Sequence, residues 1–266
     1  MPYQAFAYSS MYNDLEKVER FWNRLKPENY SDALYNEKWQ ALIPMFEQIS
    51  TQSSVVIFIF NIVTSRFVYY VDKKNVAGYD AALYLADNGV HFNFSNFRED
   101  FLTVSLVMQQ RSFDYLNASK EEKNKIVMNL DSMYKISNGD YIHFLQQSAC
   151  IESDGNGNPI LFLTYIHNIT YLKKEKTSNL IITALNDLEW WNFNFNNNLL
   201  EAVHPLSKQE KNVLSYLAKG KSSKEIAKEL FISPHTVDTH RKNLLEKTNC
   251  INTTGMITYC KIVGLI

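Results

Sequence analysis

The sequence predicts an α+β chain: an antiparallel sheet with helices packed on it, followed by a separate all-α bundle of four helices. Three observations carry this expectation. Between residues 53 and 171, two β-rich runs lead into helical stretches and then into three further strands set apart by glycine-containing turns. Beyond Pro205 the apolar spacing is helical, with Ser, Asn or Thr at the helix starts. The charge divides at the same place: residues 204–266 hold ten Lys and Arg against five Asp and Glu, whereas residues 1–203 hold seventeen against twenty-three.

Residues 1–52 read as a helical extension. Asn13 or Asp14 can cap a helix carrying Leu15, Val18, Phe21, Trp22 and Leu25, which Pro27 ends. A second stretch from Ser31 puts Leu34, Tyr35, Trp39, Leu42, Ile43 and Phe46 on one side, with a kink expected at Pro44. From Ser53 the period changes. Val55 to Phe60 and Phe67 to Val71 form a hairpin pattern, and helical signals follow at 77–86 and from Glu99 to Gln110. Residues 119–130 read as one more helix, because Ser119 and Glu122 have capping-box spacing. Strands are expected at Met133 to Ser137, Tyr141 to Cys150 and Ile160 to Ile169, with turns at Asn138-Gly139-Asp140 and at 154–159. Residues 172–203 read as a linker. Its Leu-Lys-Lys-Glu-Lys start, 172–176, is expected to be solvated. A β-hairpin is preferred over a helix further on, because Trp190 to Phe195 alternates aromatics with asparagine.

The last domain, 204–266, is the most specific part of the chain. Ser207 with Glu210 and Ser222 with Glu225 are capping boxes, each opening a short helix. Ser233 is a third N-cap, with Pro234 at the first helical position, where a missing N–H costs nothing. The helix it opens turns Val237, Leu244 and Leu245 toward a core. At about 100° per residue, His235, Asp238, Thr239 and Lys242 then share the opposite face. A brace helix followed by a helix with one polar stripe is the arrangement that enters a DNA major groove. A fourth helix starts at Asn252 or Thr253 and closes at Gly264.

In this segment the chain resembles the LuxR-type (GerE-like) helix-turn-helix family. The residues that carry the likeness include Leu206, Glu210, Val213, Leu214, Gly220, Glu225, Ile226, Ala227, Leu230, Ile232, Ser233, Thr236, Val237, His240, Asn243, Leu245 and Lys247. Asp238 departs from the family, which often has lysine there, and so does Thr248, where leucine is usual. Residues 53–171 resemble the PAS sensory family through Phe67 and Tyr69, Gly78-Tyr79, Asn96 to Asp100, Tyr134-Lys135-Ile136 with Gly139, Asp154-Gly155 with Pro159, and Ile169-Thr170. Asn168 stands where that family has aspartate. The two resemblances imply a transcriptional regulator whose PAS-like domain senses a small molecule or a protein and controls a double-stranded-DNA-binding domain. The alternative function is a sensory interaction module whose terminal helices bind protein.

The LuxR-type resemblance implies base reading by Asp238, Thr239 and Lys242. Lys224, Ser233, Thr236, His240, Arg241 and Lys247 are placed as phosphate contacts, and the resemblance puts a homodimer contact on Met256, Thr258, Tyr259 and Lys261. Phe58, Phe60, Tyr69, Phe144 and Phe162 lie on strands that could line a sensory pocket, with a filled core as the competing reading.

Other chemistry is not signalled. The sequence has no GxSxG, phosphate-loop or HExxH motif, so no enzyme is expected. Cys150, Cys250 and Cys260 fit no zinc spacing, and His91, His143 and His167 read as satisfied polar residues, so no metal or cofactor is implied. Phe144 to Gln147 echo a flavin-photosensor motif but lack the preceding cysteine. The N-terminus shows no signal-peptide pattern, and the longest apolar run, Val55 to Phe60, is too short to cross a bilayer; the expected location is the cytoplasm, without membrane contact.

Overall fold

The computed structural model describes residues 37–174, 176–185, 187–197 and 199–266. The expected helix at 14–25 lies outside them. A 3-10 turn at Glu37–Leu42 runs into helix α1, Ile43–Gln52, and Pro44 starts this helix rather than kinking it. The strands are β1 (Val55–Asn61), β2 (Arg66–Val71), β3 (Val127–Lys135), β4 (Tyr141–Ser153), β5 (Pro159–Asn168), β6 (Asn179–Thr183), β7 (Leu188–Asn194) and β8 (Leu199–Ala202). They make one antiparallel sheet in the order β2-β1-β5-β4-β3-β6-β7-β8. Helices α2 (Ala81–Leu85), α3 (Gly89–Ser95) and α4 (Glu99–Ala118) join β2 to β3. The terminal bundle is α5 (Lys208–Ala218), α6 (Ser223–Leu230), α7 (Pro234–Thr248) and α8 (Thr253–Ile262).

Strand alternation gives the sheet two differently used faces. Val56 and Phe60 of β1, Met128 and Leu130 of β3, Phe144 of β4 and Phe162 of β5 point to a core shared with α2, α3 and α4. On the other face, Val55, Ile57 and Ile59 of β1 and Leu161 of β5 pack with Trp39 and Phe46 from the α1 region. Further along that face, Leu145, Ile181 and Trp190 continue directly into the core of the terminal bundle, meeting Met256, Tyr259 and Val263. The sheet is therefore a single layer between the core shared with α2, α3 and α4 and the helical bundle.

Two further expectations fail here. Residues 119–130 are not a helix: a short 3-10 turn at Lys123–Lys125 leads straight into β3. Ser119 does accept a backbone N–H, from Glu121 at 3.2 Å, but no helix grows from it. Strand β3 sits between β4 and β6 and is buried on both faces, so its alternation of Met128 and Leu130 with Asn129 and Asp131 lacks the exposed polar side that makes a strand legible. The start of the stretch 172–203, expected to be solvated, is not, whereas the hairpin preferred further on forms as β6 paired with β7. Leu172 and Lys173 are buried, and three strands within it extend the sheet from β3.

Helix starts in the bundle follow local chemistry. Both capping boxes form, Ser207 with Glu210 and Ser222 with Glu225. The Ser233 hydroxyl accepts the Thr236 N–H at 3.0 Å. The corner between α6 and α7 places Phe231 at φ 55° with its ring in solvent.

Candidate nucleic-acid interface and sensory cavity

On α7, Val237 and Leu244 are buried, while His235, Asp238, Thr239 and Lys242 are all exposed. Lys242 leaves 77% of its side chain in solvent and pairs loosely with Glu246 at 3.8 Å, which leaves its ammonium available. Thr239 is exposed and donates its hydroxyl to the His235 carbonyl at 3.0 Å. Asp238 is engaged within the protein: it accepts the Ser223 hydroxyl at 2.7 Å and lies 3.5 Å from Arg241. Arg241 in turn donates to Ser223 at 2.8 Å and to Thr253 at 3.1 Å, so one guanidinium ties α6, α7 and α8 together.

The remaining sequence-predicted contacts separate. Ser233 and Thr236 are exposed at the start of α7, Lys224 is exposed on α6, and His240 is half-buried. Exposed backbone N–H groups at a helix start favour an anion. Lys247 is different: its Nζ donates to Glu210 Oε2 at 2.8 Å, bolting α7 to the start of α5. Burial alone would raise the Glu210 carboxyl, but Lys247 and the Ser207 N–H hold it below its ordinary value. A carboxyl depressed on folding stabilises the fold above its unfolded value and loses that contribution as pH falls through the folded one. Lys247→Ala is thus expected to cost about 1–3 kcal/mol by leaving a largely buried carboxylate without its cation. It should also flatten the loss of stability on acidification below the ordinary carboxylate range. Paired denaturant curves at neutral and acid pH would measure both, and an unchanged midpoint would count against the clamp.

Of the expected dimer contacts, Met256 and Tyr259 are corrected. Both are completely buried between the bundle and the sheet, leaving Lys261 exposed and Thr258 half-buried. An apolar face on a terminal helix reads alike in sequence whether it meets a second chain or the same one.

The opposite face of the sheet encloses a cavity of about 70 Å³. It is lined by Phe58, Phe60, Phe67, Phe94, Phe97, Phe113 and Phe162, with Asn93, Gln109, Ser112, Gln146, Ser148 and Thr164 supplying polar atoms. A neighbouring space of about 50 Å³ shares Phe58, Asn93, Phe97 and Gln146 with it and adds Tyr70, Tyr84, Tyr134 and Phe144. Ser148 and Thr164 hydroxyls share a hydrogen bond of 2.9 Å, and Gln146 donates to Ser148 at 3.0 Å. Neither lining contains a charged side chain.

Phe58, Phe60, Phe144 and Phe162 thus reach the cavities, and Tyr69 does not. Its ring lies on the far face, 6.1 Å from Trp39 and 5.8 Å from Phe46. The pairing of β1 with β2 slips between Ile59 and Phe60, so Phe60 opposes Phe67 while Ile59 opposes Tyr69. This bulge lets both Phe67 and Tyr70 face the cavities and rotates Tyr69 away.

Sequence reasoning missed one cluster altogether. Asp131 on β3 is fully buried, with Lys173 Nζ 2.9 Å from its Oδ2 and His143 Nε2 3.3 Å from its Oδ1. Asn179 donates to it twice, from its backbone at 2.8 Å and its side chain at 3.0 Å. Burial alone would raise the Asp131 carboxyl, but Lys173 and His143 hold it well below the usual carboxylate range. The available signal was Asp131 among apolar residues at strand spacing, and the Ser119–Glu122 spacing masked it.

Among the described residues no group of His, Cys, Asp and Glu could hold a metal ion, and no helix is long and apolar enough to cross a membrane.

Comparison with known proteins agrees with the terminal geometry. Residues 204–260 match the family described as bacterial regulatory proteins, luxR family. The transcriptional regulatory protein MctR of Rhizobium johnstonii is 30% identical over 105 residues, which are 36% of this chain and 49% of that protein. The regulatory protein SdiA of Escherichia coli is 47% identical over 60 residues, 23% of this chain and 25% of that one. The chain thus spans between a quarter and a half of the length of these two curated relatives. A solved Vibrio cholerae VqmA structure, described among LuxR-type receptors, aligns at 14% identity with a TM-score of 0.30, covering 82% of this chain and 86% of that one. With its two capping boxes, its serine-capped α7 and its exposed polar stripe, the segment 204–260 belongs to the luxR family of bacterial regulatory proteins.

Proposed function

We propose that the chain is a sequence-specific DNA-binding transcriptional regulator whose sheet domain senses a small molecule and controls the terminal bundle. The observation that carries this reading is the exposed stripe of α7, held outward by buried Val237 and Leu244 in a segment matching the luxR family. Lys242 and Thr239 read bases: an ammonium donates to guanine O6 and N7, and a threonine methyl packs on a thymine methyl. Asp238 has one carboxylate oxygen committed to Ser223, so it steadies Arg241 and presents its other oxygen to a cytosine N4. Lys224, Ser233, Thr236 and His240 grip phosphates, with Arg241 reaching from the same edge. Two copies bind together, since one recognition helix covers only a few base pairs, and Thr258 and Lys261 remain open for that contact.

Lys242→Ala is expected to cost about 1–3 kcal/mol on the true site and to relax preference at one base pair. Lys224→Ala should weaken all sequences alike and lower the salt slope by about one. The test uses duplexes recovered by genome-wide immunoprecipitation and scrambled controls, titrated across a salt series. Equal, sequence-blind losses for both variants would defeat the reader assignment, and no binding to any duplex at low salt would defeat the function.

The cavities favour a small uncharged ligand. A charged ligand would surrender its hydration to a lining without countercharge. Spaces of about 70 and 50 Å³ are each smaller than the roughly 150 Å³ that holds one benzene-sized molecule, so side chains of the lining must move to admit even a small one. Polar groups at Gln146, Ser148 and Thr164 can orient a hydroxyl, carbonyl or ring nitrogen.

A further inference from the structure

The polar stripe of α7 is braced from the helix before it. Ser223, the first residue of α6, donates its hydroxyl to Asp238 Oδ1 at 2.7 Å and accepts from Arg241 Nη1 at 2.8 Å. A serine hydroxyl carries one proton and two lone pairs, so this single oxygen serves an anion and a cation at once. Arg241 is fixed from its other side by the Thr253 hydroxyl at 3.1 Å. The direct approach of Arg241 to Asp238, 3.5 Å, also falls on Oδ1. Both contacts of the carboxylate thus use one oxygen, and Oδ2 lies outside them on a side chain that is 58% exposed. We propose that Ser223 is a specificity-determining positioning residue: from the brace helix it holds the Asp238 carboxylate in one orientation, and that orientation selects cytosine at a single base pair.

Without the serine the carboxylate has somewhere else to go. Its side chain can rotate among staggered wells, and Arg241, three residues on along the same helix, would draw it into a direct ion pair. The hydrogen bond from Ser223 is charge-assisted and short, so it selects one rotamer before DNA arrives. The complex is then spared the cost of ordering that side chain.

A fixed carboxylate discriminates largely by refusal. It can only accept hydrogen bonds. Cytosine offers it the N4 donor, guanine and thymine turn acceptors toward it, and adenine sets an N7 acceptor beside its N6 donor. An anion held against an acceptor edge costs affinity, whereas one free to swing back to Arg241 escapes that penalty and loses the preference. This role for Ser223 rests on the DNA-binding function proposed above.

Ser223 can be changed without unmaking its helix. The N-cap of α6 is Ser222, which forms both halves of the capping box with Glu225, and alanine is a good helix former at the next position. The unsubstituted full-length chain, Ser223→Ala, Asp238→Ala and the double variant are titrated on a duplex site recovered by genome-wide immunoprecipitation and on each of its single base-pair variants. Ser223→Ala should lower the preference for cytosine about tenfold at the base pair where Asp238→Ala lowers it, the size of one good base contact. Scrambled duplexes should bind within about twofold of their original affinity, since phosphate contacts carry no sequence information. In the Asp238→Ala background the Ser223 change should add nothing at that base pair, and Ser223→Thr, which keeps the hydroxyl, should restore the preference. Loosened packing of α6 on α7 would instead weaken every duplex alike, so an equal loss on all sequences would overturn the positioning role. Additive losses in the double variant, an unchanged preference in Ser223→Ala, or no base pair at which Asp238→Ala alters preference would overturn it too. Those outcomes leave the DNA-binding function standing; no binding of the unsubstituted chain to any duplex at low salt would overturn that function and the role of Ser223 with it.

Discussion

Replacing Asp131 with alanine is expected to cost about 3–5 kcal/mol of stability, because it leaves the buried Lys173 ammonium without its anion. The same change removes the acceptor for two Asn179 donors and for Tyr259, so the loss spreads over β3, β6 and α8. Removing both charges tells the ionic and packing contributions apart. The double variant Asp131→Ala/Lys173→Met should recover a substantial part of the loss, since neither ion then remains unpaired. Urea unfolding of the three variants measures this directly. A single-variant loss below about 1 kcal/mol, the scale of an exposed pair, would show that water reaches the cluster. A double variant no better than the sum of the singles would show that the two charges do not act as a pair.

Leu244→Ala is expected to cost about 2–5 kcal/mol, the range for emptying a fully buried leucine site. Leu244 lies two residues from exposed Lys242 on the same helix, so the two positions separate folding from recognition. A bundle of sixty-odd residues has little stability to spare, and Leu244→Ala should lower helix content and DNA affinity together. Lys242→Ala should leave the melting curve within about 0.5 kcal/mol, as expected of an exposed substitution. Thermal melts followed by circular dichroism, run beside the DNA titrations, decide the matter. An intact melt for Leu244→Ala, or a collapsed one for Lys242→Ala, would reverse the assignment of the two faces.

The bundle was legible in the sequence because its determinants are local. A serine hydroxyl reaches a backbone N–H three residues ahead, and Pro234 fits a first helical turn, whatever the rest of the chain does. The outward stripe of α7 follows from helical period alone. The outer strands β1 and β2 were legible from their β-branched and aromatic runs, but the face on which Tyr69 lies was not. A bulge shifts side chains by one position without leaving a residue-type signature here.

By itself, the sequence determined the architecture: an antiparallel sheet with helices, then a luxR-type bundle with Val237 and Leu244 inside and Asp238, Thr239 and Lys242 outside. Only the tertiary structure decided what the buried polar residues do. Asp131 and Lys173 are 42 positions apart and Tyr259 is 128 from Asp131, so no local pattern connects them. Lys173 in a run of charged residues reads as solvated, and Met256 and Tyr259 read as an open apolar face, until the sheet is laid against them. Local rules fix which way a side chain points from its own helix or strand; what it meets there depends on long-range closure of the chain, and for a charge that meeting settles whether burial is tolerated.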